Sequence, residues 1–177
     1  MNLPNLITTI RITLVLPLVL LLYQQSSKTC QWWALGIFLL AAATDWLDGY
    51  IARKWNQVTE VGKFLDPLSD KILVIAPLLV LVERRQIPAW GVFIIVLREM
   101  IIAGWRVNPQ LKNQQQISGA SSWGKIKTVS QIVAISLLLA PLAELHWTGL
   151  IFFWISVAFT VVSGILYLLP QSTTVGE

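Results

Sequence analysis

The sequence predicts an all-α integral membrane protein, a bundle of six transmembrane helices. Three observations lead there. Hydrophobic residues make up 55% of the 177 and charged ones only 12%, about half the charged fraction of an ordinary soluble domain. Mean hydropathy is +0.67, and the apolar residues fall into six runs near the length of about 20 that crosses a hydrocarbon core. Tryptophans mark the ends of those runs: Trp32, Trp33, Trp55, Trp90, Trp105, Trp123 and Trp147 form the aromatic belt expected at headgroup depth.

The first span is Leu6–Gln24. It holds Arg11, is interrupted by Pro17 and lacks a small-residue cleavage site before Gln24, so it reads as a span rather than a signal peptide. The others are Gln31–Trp55, Gly62–Val82, Pro88–Trp105, Trp123–Ala143 and Trp147–Leu169. Short connections make consecutive helices antiparallel neighbours, and neither linker nor repeat breaks residues 1–177 into more than one membrane domain. Lys and Arg set the sidedness. With the N-terminus inside, Arg11, Arg53, Lys54, Lys63, Lys71, Arg98, Arg106, Lys112, Lys125 and Lys127 lie on or toward the cytosol, and only Lys28, Arg84 and Arg85 lie outside. Both termini are therefore expected in the cytosol. Cys30 is alone, which excludes an internal disulfide and a cysteine metal site. His146, also alone, reads as an interfacial residue between two apolar runs. The net charge of +4 suits an anionic lipid surface or an anionic substrate without choosing between them; no nucleic-acid partner is expected.

Four carboxylates interrupt this oily pattern. Asp45 and Asp48 are spaced i, i+3 near the cytosolic end of the second span; Asp66 and Asp70 are spaced i, i+4 near the start of the third. Each pair shares a helix face, and the connection around Asn56–Val61 lets the two faces meet. Asp45 precedes Lys54 by nine residues, roughly 13 Å of helix, which places it below the headgroups. A carboxylate at that depth costs about 2.5 kcal/mol or more and marks a functional site by default. Four together repel one another unless a cation joins them. Oxygen-only ligands suit a hard divalent ion such as Mg²⁺, Mn²⁺ or Ca²⁺. Gly49 and Ala52, on the Asp45–Asp48 side, leave room for a ligand near the backbone. Arg53 adds a fork of donors suited to phosphate, and Gly62 eases the turn into the third span. The picture is a metal-bridged diphosphate site.

Asp45, Asp48, Gly49, Ala52, Arg53, Gly62, Asp66 and Asp70 spell D-x2-D-G-x2-A-R-x8-G-x3-D-x3-D without departure. This resembles the signature of the CDP-alcohol phosphatidyltransferase family. The segments NLPNLITTIRI, LREMIIAGWR and SSWGKIKTVSQIVAI look like the bacterial branch that makes phosphatidylglycerophosphate. The resemblance implies a six-helix bundle in the bacterial inner membrane, commonly a homodimer, with a polar cavity open to the cytosol. It implies transfer of a phosphatidyl group from CDP-diacylglycerol to glycerol 3-phosphate, with release of CMP. It further implies that Asp45, Asp48, Asp66 and Asp70 hold one or two divalent ions, Mg²⁺ or Mn²⁺, on the CDP diphosphate, and that Asp70 is also the general base. Gly49, Ala52, Arg53 and Gly62, with Asn5 and Thr59, would line the CDP site.

A phosphorylated acceptor needs a basic pocket. Arg98 and Arg106 share a side of the fourth span, and Lys125 and Lys127 open the fifth after the cap-like pair Ser121–Ser122. Arg98 and Lys125, with Arg106 or Lys127, are the candidates to grip the acceptor's phosphate; Lys125 and Lys127, two apart, cannot share a face. The competing reading pairs Arg98 with a carboxylate such as Glu99 and leaves the others as positive-inside residues. Two rival functions remain: the same chemistry on another acceptor, such as inositol phosphate, serine or phosphatidylglycerol, and divalent-cation transport through the carboxylates.

Overall fold

A computed structural model describes the backbone of residues 3–24, 27–55, 60–107 and 119–168, and the side chains of residues 8–24, 27–44, 68–104 and 124–167. Among the described residues there are six α-helices and no strand: α1 (Leu3–Tyr23), α2 (Lys28–Trp55), α3 (Glu60–Glu83), α4 (Ala89–Val107), α5 (Gly119–Leu139) and α6 (Ala143–Leu168). At 19 to 28 residues each is roughly 28–42 Å long. Helix α1 packs along both α2 and α3, while α6 packs along α5 and α4. Contacts of α3 with α4 and α5, and of α2 with α5, join the two groups.

Local chemistry explains most of the ends. Ser27 caps α2, its hydroxyl accepting the Cys30 N–H at 3.3 Å. Helix α3 closes at Arg85, which adopts φ 58°. There the N–H of Gln86 reaches back to the Leu81 carbonyl at 3.0 Å and that of Arg85 to Val82 at 2.8 Å, a Schellman turn with arginine where glycine is usual. Helix α1 runs on through Pro17, so the proline does not interrupt it. Pro141 lacks an N–H and disfavours helix in the residue before it. Accordingly α5 stops at Leu139 and α6 starts at Ala143, each about four residues earlier than the apolar runs suggest. His146 consequently lies in the first turn of α6, not between helices. Ser121 and Ser122 fall inside α5 rather than capping it, and Gly62 lies within the first turn of α3.

Among the described residues, one helix segment, Ala143–Tyr167, qualifies by length and apolarity alone to cross a membrane; Thr8–Tyr23 is a shorter apolar helix. Helix α3 is diluted by Glu60, Lys63, Asp66, Asp70 and Lys71, and α4 by Arg98, Glu99 and Arg106. The distribution of polarity adds what composition misses. Leu16, Leu20, Trp33, Leu40, Phe93, Trp147 and Ile151 are exposed, while Thr8, Arg11, Ser69, Lys127, Gln131, Ser156, Thr160 and Ser163 are buried. A water-soluble bundle shows the opposite arrangement. The apolar core that remains, including Leu18, Phe38, Leu78, Leu81, Ile95, Ile135 and Phe153, packs between these polar seams.

Two glycines permit close helix contact. A Cβ on Gly91 would come within 2.7 Å of the buried Phe153 ring, and one on Gly149 within 2.8 Å of Leu138 Cγ and 3.2 Å of its backbone nitrogen. Small residues of this kind let helices approach without side-chain clash. Gly149→Ala is expected to destabilise the protein by about 1–3 kcal/mol, read as a lower thermal midpoint in detergent. Gly36→Ala, where the new Cβ meets nothing within 4 Å, is expected to leave the midpoint unchanged or raise it.

Candidate functional site

Two polar clusters meet along α3, where Ser69, Asp70 and Lys71 follow one another. Successive helical residues point about 100° apart, so the three side chains reach different neighbours. Toward α1, the Arg11 guanidinium donates through Nη1 to Asp70 Oδ1 at 2.7 Å and to Ser69 Oγ at 3.0 Å. Arg11 is fully buried, whereas the Asp70 side chain is 45% exposed. The ion pair therefore holds the carboxylate from the α1 side, with nearly half of its surface accessible. Thr8, one helical turn before Arg11, is buried in the same seam.

Toward α4 and α5, the second cluster centres on Glu99. Its carboxylate oxygen Oε1 accepts from Arg98 Nη1 at 2.9 Å and from the Lys127 ammonium, and its backbone carbonyl accepts from Lys71 Nζ at 3.3 Å. These groups are largely withdrawn from solvent: side-chain exposure is 14% for Arg98, 13% for Glu99 and 6% for Lys127. Burying so much charge is tolerable only when each ion is paired and hydrogen-bonded. The seam continues along α5 and α6, where Gln131 donates to Thr160 Oγ1 at 3.4 Å. Gly164 of α6 lies against the stem of Arg98; a Cβ there would approach Arg98 Cγ to 3.2 Å.

Of the residues singled out from sequence, Asp70, Arg98, Lys125 and Lys127 have described side chains. Arg98 and Lys127 are brought together by Glu99. Lys125 is exposed, on another side of α5, as its spacing from Lys127 requires. The side chains of Asn5, Asp45, Asp48, Gly49, Ala52, Arg53, Gly62, Asp66 and Arg106 lie outside the described residues, although their backbones are helical; Thr59 lies outside them altogether. Among the described side chains no group of three or more His, Cys, Asp or Glu converges. The pairing of Arg98 with Glu99 is the competing reading named from sequence. It occurs together with the basic cluster rather than in place of it. Lys71 entered the sequence reading only as evidence of sidedness, and Arg11 as evidence of sidedness and against a signal peptide. The signal that could have found Arg11 was an arginine in the middle of an apolar run, which marks function by default.

A divalent cation fits this donor set. The four motif aspartates offer oxygen atoms only, the ligands hard ions prefer. Their two helices, α2 and α3, touch in the fold, and Asp70 has a half-exposed carboxylate.

Comparison with known proteins shows the family. The model of the family described as CDP-alcohol phosphatidyltransferase matches residues 1–162. The chain is 40% identical over 185 residues to the CDP-diacylglycerol–glycerol-3-phosphate 3-phosphatidyltransferase of Bacillus subtilis (strain 168), covering 92% of this chain and 91% of the relative. It is 35% identical over 173 residues to the proteins of the same name from Escherichia coli (strain K12) and Shigella flexneri serotype 5b (strain 8401), covering 94% of this chain and 93% of each relative. With a family match over nearly its whole length and relatives of this identity, the chain belongs to the CDP-alcohol phosphatidyltransferase family.

Proposed function

We propose that this protein transfers the phosphatidyl group of CDP-diacylglycerol to glycerol 3-phosphate, giving phosphatidylglycerophosphate and CMP for anionic phospholipid synthesis. The observation that carries the reading is the unbroken eight-residue acidic motif, in a chain that aligns over nine-tenths of its length with relatives named for this reaction. The inverted polarity of the bundle, with arginine inside and leucine and tryptophan outside, supports six helices embedded in a bilayer. A polar cavity would then open to the cytosol, and both termini would lie there. A homodimer is the expected assembly.

In the reaction, the primary hydroxyl of glycerol 3-phosphate attacks the phosphorus that bears diacylglycerol. One P–O bond forms to the acceptor oxygen and the P–O bond to CMP breaks, with CMP taking the bonding electrons. Asp70 accepts the hydroxyl proton as the new bond forms, which requires hydrogen-bond reach. Its pairing with Arg11 at 2.7 Å keeps the carboxylate in one orientation. Asp45, Asp48, Asp66 and Asp70 would hold Mg²⁺ or Mn²⁺, which when bound neutralises charge on the diphosphate and improves CMP as a leaving group. Asn5, Gly49, Ala52, Arg53, Thr59 and Gly62 would line the CDP site. Arg98 and Lys127, with the exposed Lys125 and with Arg106, would receive the acceptor's phosphate. The acyl chains stay in the lipid throughout.

CMP release from CDP-diacylglycerol, dependent on added Mg²⁺ or Mn²⁺ and abolished by chelator, is the expected result for the purified protein. Divalent-cation flux in liposomes without any CMP formed would support a transport protein instead. Arg98→Ala is expected to raise KM for glycerol 3-phosphate by roughly 10-fold or more, the weight of a hydrogen bond to a charged group. An unchanged KM would remove Arg98 from the acceptor site.

A further inference from the structure

We infer that Glu99 is a positioning residue for the acceptor's phosphate: it gathers basic groups from three helices at one point. This rests on the acceptor reading above. Glu99 is the common partner of the cluster. Its carboxylate holds Arg98 of its own helix and Lys127 of α5, and its carbonyl holds Lys71 of α3. Arg98 and Lys127 are almost enclosed, and like charges in such surroundings separate unless an anion lies between them.

Arg98 and Lys127 against Glu99 leave one positive charge in excess among these three side chains, so the cluster favours an anion. Lys71 brings a third basic group to Glu99 from α3.

A second observation shows that the cluster is not closed upon itself. Arg98 Nε is buried and has no hydrogen-bond partner among the described residues. Such a donor is costly to leave unsatisfied, and here it lies within the basic cluster. The unsatisfied Nε donor is one prong of the fork by which arginine binds phosphate. Gly164 holds α6 against the Arg98 stem and limits its movement.

The test uses the full chain in lipid nanodiscs with saturating CDP-diacylglycerol and Mg²⁺, together with calorimetric titration of glycerol 3-phosphate in the absence of turnover. Glu99→Gln is expected to raise both KM and Kd for glycerol 3-phosphate by roughly 10-fold or more. Saturated turnover and KM for CDP-diacylglycerol should stay within about 2-fold. Glu99→Asp, which keeps the charge, is expected to recover part of the loss. A fall in thermal midpoint or turnover with KM and Kd unchanged would mean that Glu99 only stabilises the fold, and would overturn the inference. If the Gln variant fails to fold, the Asp variant decides by the same criterion: a raised KM at normal turnover supports it, and an unchanged KM overturns it. Wild-type protein that labels no glycerol 3-phosphate would overturn the acceptor reading itself, an outcome distinct from both.

Discussion

Asp70→Asn is expected to lower turnover by about 10²–10⁴-fold, the usual contribution of a general base, while binding of CDP-diacylglycerol is largely kept. The substitution keeps the hydrogen bond to Arg11 and removes the charge. The amide oxygen of asparagine still accepts from Arg11 Nη1, which now donates to Asp70 Oδ1 at 2.7 Å, so the seam between α1 and α3 stays closed. Asp45, Asp48 and Asp66 remain to hold a metal. The comparison is single-turnover CMP release against binding of a non-hydrolysable CDP-diacylglycerol analogue. Near-normal turnover in the variant would take the base role away from Asp70.

Asp70→Ala is a different experiment and should have the largest effect on stability. It takes a carboxylate away from a guanidinium that is fully buried. Breaking a buried ion pair by removing one partner costs about 3–5 kcal/mol. Asp70 is 45% exposed, so the lower end, about 3 kcal/mol, is expected here. The cause is the uncompensated charge of Arg11 rather than the missing hydrogen bond, and a double variant separates the two. Arg11→Met with Asp70→Ala should recover most of the stability, because methionine fills the space of the arginine stem without a charge to solvate. Thermal unfolding followed by tryptophan fluorescence measures both. A double variant no more stable than Asp70→Ala would show that the pair is not what holds α1 to α3. The contrast also matters for interpreting activity: the alanine variant loses both the charge and the hydrogen bond, whereas the asparagine variant keeps the hydrogen bond and loses the charge, so its thermal midpoint is measured beside its turnover.

The all-helical architecture was legible in the sequence because apolar runs of the right length leave few other structures. The helix ends were less so. An apolar run continues through Pro141 to Ala143, and only the proline's missing N–H ends α5 at Leu139. Pro17 is the opposite case: the span Leu6–Gln24 reads through it, and α1 runs through it, packed against α2 and α3. The acidic motif could be read from spacing, since i, i+3 and i, i+4 define a helix face wherever the helix goes. Periodicity does not say which helix that face meets. Arg11 is 58 residues from Ser69 and 59 from Asp70 in the chain, and Lys127 is 28 from Glu99; no local pattern links them. Each basic residue was visible as a charge in an apolar run. Its partner emerged only when α1, α4 and α5 were placed around α3.

The most direct test of the proposed reaction is a comparison of labelled acceptors. Purified protein is given CDP-diacylglycerol, Mg²⁺ and one radiolabelled alcohol at a time: glycerol 3-phosphate, inositol phosphate, serine or phosphatidylglycerol. Label from glycerol 3-phosphate should pass into a lipid product with one CMP released per lipid formed, and the other acceptors should give little or none. Label appearing in lipid from another acceptor, with none from glycerol 3-phosphate, would contradict the proposed reaction.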